Sequence, residues 1–328
     1  MVGRLVLSLS FIGLATLSPF VTPASAAQAE PITLPFTPPI GKLQHLRINH
    51  VITETEKGIT TTISDMTSDE EIVFTERNAV GFVMRWTTTA VTVKAQPPRQ
   101  AVLEAVAKVA VNKPLLIQTD ADGVPDTLLN AADTRATFTT VLDAVLATLD
   151  KQPDITSEAE RQAVHKMLTG LLDTYRNASD AQLAQMMLEE PNVIYGLGGV
   201  PLAAGKSTPF HTMVALPLAN TPLNIDGKVA LRSANADEVV IAVTNATRPA
   251  EVKKAISEFL SKMAAEFAPE KQKGLTEAMA KIGDFDLRSE LLITLDAKTG
   301  MLHGARGLKH LTAAGRVRDE TKTFTPLD

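Results

Sequence analysis

The stretch "PLLIQTDADGVPDTLL" (Pro114–Leu129) has a counterpart far downstream in "ELLITLDAKTGMLHGA" (Glu290–Ala305). Each holds an apolar-alternating run, an Asp, a Gly and a second run. A metal loop, a catalytic acid motif and a piece of architecture used twice compete as readings. A calcium loop needs carboxylates at alternate positions, then Gly sixth and Glu twelfth. Counted from Asp120, Gly123 is fourth and the twelfth residue is Ala131, so that reading fails. Architecture is the better reading: each stretch is a hairpin whose Gly supplies positive φ and whose Asp bonds its own backbone. "NIDGKVAL" (Asn224–Leu231) reads as the same device.

The flanks support a sheet. "LQHLRINHVITETE" alternates Leu46, Ile48, His50 and Ile52 on one face. "GITTTISDM", continuing into "EEIVFTE", is Thr-rich and β-branched. "AVGFVMRWTTTAVTVKA" places Val80, Phe82, Met84 and Trp86 on one face, with Arg85, Thr87 and Thr89 opposite. Such period-two runs mark strands with one wet face. "PPRQAVLEAVAKVAV" reads as a proline-started helix. "TFTTVLDAVLATL" reads as another, and "TSEAERQAVHKMLTGLLDTYRN" as a third, opened by a Ser157/Glu160 capping box. "SDAQLAQMMLEE" carries a second box, Ser179 with Gln182. Strands return in "FHTMVALPL", "GKVALRSA" and "EVVIAVTNAT". Two helical stretches follow, through "TRPAEVKKAISEFLSKMAAEF" and "EKQKGLTEAMAKI", and then "LRSELLITLD", "GMLHGARGLKHL" and "GRVRDETKTFTPL". Each β region therefore reads as three strands, a proline-started helix and a Leu-Leu-Ile hairpin, an order that suggests an internal pseudo-repeat.

The expected fold is α+β: curved antiparallel β-sheet, in two pseudo-repeated halves, with packed helices and a helical insert. The expected boundaries are 1–26 signal peptide, 27–41 Pro-rich lead, 42–130 first β-rich half with a short helix, 131–190 helical insert, and 191–328 second β-rich half with a helical pair. The signal reading rests on Arg4, the apolar Leu5–Leu17 run and the Ala24-Ser25-Ala26 site. It implies a periplasmic or secreted protein cleaved near Ala26, with no integral membrane segment thereafter.

At 328 residues, 45% apolar and 21% charged, the chain can bury a substantial core. A net charge of −5 offers no broad basic field, so no nucleic-acid partner is expected. With no cysteine, disulfides, Cys-bound zinc and thiol nucleophiles are excluded. "GGVPLAAGKST" resembles a phosphate loop, but Gly199 and Gly205 enclose five residues where four are required. The six histidines show no ligand spacing; a zinc site would need distant ones such as His50, His211 and His303 to converge. No G-x-S-x-G occurs, and the carboxylate pair Asp284 and Asp286 reads as a solvated loop and cap. No catalytic residue, metal or cofactor is expected.

From "PFTPPIGK" onward the chain resembles an uncharacterised class of bacterial exported β-rich proteins, a domain of unknown function. The likeness is carried by "PIGK" before a Thr-rich strand, the "DADGVP" turn, "VPLAAGKSTPF" and the "LDAKTGML" hairpin. In that class a Ser and a Trp closely follow the glycine of the third motif. Here Gly205 is followed by Lys206, Ser207 and Thr208, with no Trp. The resemblance implies no catalytic residues. At fold level, the plan also resembles the half-barrels that carry lipoproteins across the periplasm. The leading functional expectation is a binding or carrier protein for a hydrophobic ligand, with lipid or an acylated envelope protein as partner. An envelope scaffold without ligand is the alternative, and a hydrolase the remote one. Candidate pocket-lining residues are Phe82, Met84, Trp86, Met167, Met186 and Met187, because thioethers and aromatics on apolar stripes can line an adaptable site. The competing reading of all six is ordinary core.

Overall fold

A computed structural model describes residues 31–149, 176–214, 223–264, 286–313 and 315–327, with positions 162, 165, 166, 169 and 173. The described strands are β1 (Leu43–Glu56), β2 (Ile59–Arg77), β3 (Phe82–Ala95), β4 (Leu115–Thr119), β5 (Pro125–Leu128), β6 (Ser207–Val214), β7 (Leu223–Ala234), β8 (Glu238–Thr247), β9 (Asp286–Asp296), β10 (Leu302–Ala313) and β11 (Arg316–Pro326). The described helices are α1 (Pro97–Ala110), α2 (Ala131–Leu149), α3 (Asp180–Met187), α4 (Glu189–Tyr195) and α5 (Pro249–Ala264). The expected order recurs: three strands, a proline-started helix and a hairpin, first as β1 to β5 and again as β6 to β10. The second round adds β11.

All eleven strands join one antiparallel sheet in the order β5-β4-β3-β2-β1-β11-β10-β9-β8-β7-β6. Sequence neighbours pair within each round, and β1 pairs with β11 to join the two rounds. Only β5 and β6 remain as edges, so the sheet is curved but not closed. Bulges at Ile52/Thr53, Asp69/Glu70, Phe74/Glu76 and Leu231/Ser233 add bend and twist to the long strands. The anticipated alternation holds in β1, where Leu46, Ile48 and Ile52 are buried.

The two opening stretches are hairpins built alike. Asp120 Oδ1 accepts from Asp122 N at 2.9 Å and Val124 N at 2.8 Å, while Gly123 takes φ +86°. Asp296 Oδ1 accepts from Lys298 N at 3.0 Å and Thr299 N at 2.7 Å, with Gly300 at φ +73°. Both turns also meet one side chain. A Cβ on Gly123 would lie 2.4 Å from Phe36 Cε1, and one on Gly300 would lie 3.0 Å from Phe36 Cδ2. Turns from β4–β5 and β9–β10, well apart in the sheet order, can share a ring only because the sheet curls.

Two local readings are corrected. Asp226-Gly227 is no turn: both sit inside β7, and Gly227 lies beneath the Phe210 ring of β6. Glycine there makes room for the ring, as it does where an aromatic covers a strand glycine. Val80 is not on β3's inner face but 61% exposed in the β2–β3 turn, where Asn78 Oδ1 accepts from the Val80 and Gly81 amides. A side-chain-capped turn ends the alternation earlier than the apolar pattern implies.

The Pro-rich lead is a strap. Ile32 and Leu202 exchange backbone hydrogen bonds, Thr37 N donates to Thr299 O at 3.0 Å, and Gly41 N donates to Phe74 O at 2.8 Å. The signal reading, the Ser157/Glu160 box and the "EKQKGLTEAMAKI" helix lie outside the described residues. The second box is formed: Ser179 Oγ accepts from Gln182 N and Gln182 Oε1 from Ser179 N. Ser179→Ala removes one half of it, so thermal or urea unfolding should show a loss of about 1 kcal/mol.

Candidate functional site

The concave face is filled at one end and open at the other. At the filled end Phe36, Phe74, Phe82 and Tyr195 meet edge to face, with ring centroids 5.4–6.2 Å apart. Burial in this cluster pushes the Tyr195 phenol pKa up. Further along the same face lies a cavity of about 480 Å³. Its floor comes from β1 and β2 and from β8 to β11, and α1, α3 and α4 cover it. Apolar walls come from Ile52, Leu103, Met186, Met187, Val243 and Leu291. The volume falls within the range of about 300–1,000 Å³ usual for small-molecule sites.

Of the six candidate residues, Met186 and Met187 of α3 line this cavity. Phe82, Met84 and Trp86 belong to the packed core, at 3%, 0% and 4% exposure. Met167 lies outside the described residues. Met186 and Met187 also pack against the core cluster that contains Phe82, Met84 and Trp86, so the cavity opens beside that core.

The floor also carries charge. Strand alternation puts Arg318, Glu320, Lys322 and Phe324 of β11 on the inner face, and Lys309 of β10 pairs in register with Glu320. Glu320 accepts from Arg318 Nη2 at 2.9 Å and faces His50 Nε2 at 3.7 Å. Burial works to raise the Glu320 pKa, but His50, Lys309 and Arg318 outweigh it and lower it to about 2. Lys322 Nζ reaches Glu190 Oε1 of α4 at 2.9 Å, tying the cover to the floor. Burial alone would lower Lys322; Glu190 and Glu189 instead hold its pKa above the ordinary value. Burial lowers Lys309, against the attraction of Glu320 and Glu189.

Glu70 stands between the two ends, paired in register with Leu46 and 3% exposed. Trp86 Nε1 donates to its Oε2 at 3.1 Å. Burial raises its pKa to about 7, against hydrogen bonds from Ser68, Thr88 and Trp86.

The conjectural zinc set does not assemble. His50 faces Glu320, His211 Nδ1 pairs with Asp226 at 2.8 Å, and His303 lies between Glu238 and Asp296. Among the described residues no three His, Asp or Glu side chains are grouped to hold a metal, and no helix is long and apolar enough to cross a membrane. Asp286 bonds Arg288 on its own strand, and Asp284 lies outside the described residues.

Sequence reasoning passed over the charged residues of "RVRDETKTF", which it read only as part of a strand. The available signal was phase: Arg318, Glu320 and Lys322 share the parity of Phe324, an aromatic that must face inward.

No family model matches the chain, nor does any curated protein. The likeness to a domain of unknown function therefore rests on its short motifs alone. Among solved structures, a chain described as "lipid-protein interactions in lipovitellin" aligns over 88% of this chain at 8% identity and a TM-score of 0.42. This protein spans about 25% of that chain. DynF from the dynemicin biosynthesis pathway of Micromonospora chersina aligns over 95% of this chain and 96% of its own, at 9% identity and a TM-score of 0.19.

Proposed function

We propose that this is an exported, non-enzymatic binding or carrier protein for a hydrophobic ligand or an acylated partner. The cavity beneath α1, α3 and α4 would be its ligand site. The observation that carries the reading is the cavity itself: a curved sheet and its helices leave about 480 Å³ between Met186, Met187 and a floor that is part apolar and part charged. The apolar side chains that border such a space forgo dispersion contacts unless something fills it. Methionines suit a lining that must repack around varied chains.

The packed state of Phe82, Met84 and Trp86 favours a second reading, an envelope scaffold with a solid core and no ligand. Native mass spectrometry on protein purified from its own host without detergent, followed by solvent extraction, separates the two. A carrier should show added mass near one-to-one stoichiometry, and the extract should contain lipid. A clean apo mass would remove the stable-carrier reading and leave the scaffold.

A further inference from the structure

One cation in the cavity has a buried N–H with no hydrogen-bond partner. Arg99 stands in the first turn of α1 and its side chain lines the cavity. Among the described residues it forms no side-chain hydrogen bond or ion pair, and its Nε is buried without a partner. The carboxylates around the cavity are otherwise engaged. Glu320 is held by Arg318 and His50, and Glu190 by Lys322. Glu189 acts on Lys309 and Lys322, and Glu290 is exposed at the rim. Arg318 presses a second guanidinium toward Arg99, so the two cations share the field of the single carboxylate Glu320.

Arg99 is half-buried, and its Nε, which has given up water and gained no partner, carries a desolvation cost. A water molecule could satisfy the N–H but would leave the charge uncompensated. An anion would satisfy both, and a planar guanidinium fits a two-oxygen acceptor in fork geometry. The wall beside Arg99 that comes from Leu103, Met186, Met187 and Leu291 is apolar, while the charges of the floor pair mainly with one another. A methylene takes about the volume of a water, roughly 30 Å³, so the cavity has room for about 16 such groups, a single chain.

We propose that the cavity takes a single-chain amphiphile with an anionic head, a fatty carboxylate, whose oxygens pair with Arg99 while its chain lies against Leu103, Met186, Met187 and Leu291. This rests on the ligand-binding reading above and adds the head group to it. Arg99 is then a specificity-determining residue, and its orphan Nε is the half of a contact that the ligand completes.

The test is isothermal titration of the full chain, stripped of lipid, with dodecanoate, dodecanol and inorganic phosphate. The wild type should bind dodecanoate about tenfold or more tighter than dodecanol, the value of one charged hydrogen-bonded contact. Arg99→Gln should bring the two within about twofold, and Arg99→Lys should keep part of the preference. Equal binding of both chains by wild type and Arg99→Gln would overturn the head-group assignment while leaving the carrier reading intact. Binding of phosphate as tightly as dodecanoate would reassign the site to a free anion and overturn the amphiphile. Failure of the wild type to bind either chain would sink the carrier reading as well. Arg99→Gln removes a half-buried charge that has no hydrogen-bonded partner, so its melting temperature should not fall; a marked fall would assign Arg99 a structural role instead.

Discussion

Raising the pH from 5 to 8 should cost the wild type about 3 kcal/mol of folding stability through Glu70 alone, and Glu70→Gln should abolish that loss. Burial raises the Glu70 pKa from 4.5 to about 7 in the folded chain. The folded state therefore holds a proton that the unfolded state releases between those values. Stability from this group is fully present below pH 4.5, falls as pH rises through the window, and is gone above pH 7. A gap of that width at about 1.4 kcal/mol per pH unit gives the stated magnitude. Gln keeps an acceptor for the Trp86 Nε1 proton and never ionises, so it should match the protonated wild type at every pH. Glu320 does not obscure the result. Its folded pKa lies below the unfolded value, so its contribution is lost as pH falls toward 2, outside the measured range. Urea unfolding of both proteins at pH 5 and 8 reads the difference; parallel pH slopes would defeat the argument.

Glu70 also shows where sequence reading stops. In "SDEEIVFTE" it shares a parity with Ile72 and Phe74, but a carboxylate beside another carboxylate reads as solvated surface. Its burial depends on neighbours that the fold brings in from β1, β3 and α4, which no local pattern encodes. The elements themselves were legible because their signals are local. Alternating Leu46, Ile48 and Ile52 fixed β1's inner face, and Asp-Gly chemistry fixed both hairpins. Asp226-Gly227 carries the same two letters and misleads, because there the glycine answers Phe210 on the next strand, a long-range cause. The pocket was half legible for a related reason. Apolar stripes mark what faces inward, and Met186 and Met187 do. Whether an inward face ends in contact or in empty space depends on how far the facing elements stand apart. Phe82 meets the Phe36 ring of the lead as filling, and Met84 and Trp86 are buried in the same core, while Met186 and Met187 pack against that core on one side and border the cavity on the other.

That filling predicts the second large effect: Phe36→Ala should destabilise the fold by about 3 kcal/mol, the lower end of the range for deleting a buried aromatic because the ring is only partly buried. Phe36 touches Phe74, Phe82 and Tyr195 together, and it also packs against Gly123 and Gly300 of the twin hairpins. Its loss leaves a void at the meeting point of the strap, the sheet and α4. A double-mutant cycle with Phe74→Ala should return a coupling of about 1 kcal/mol, as expected for rings in edge contact. Hydrogen exchange locates the damage. The Thr37 amide, bonded to Thr299, should lose protection, while amides in the β1–β11 register keep theirs. A loss below about 1 kcal/mol with Thr37 still protected would show that the lead is held by its backbone bonds and that the ring is incidental. The expected result makes Phe36 the plug that lets one end of the concave face pack solid. The volume that α1, α3 and α4 leave unfilled is then confined to the other end, where Arg99 stands.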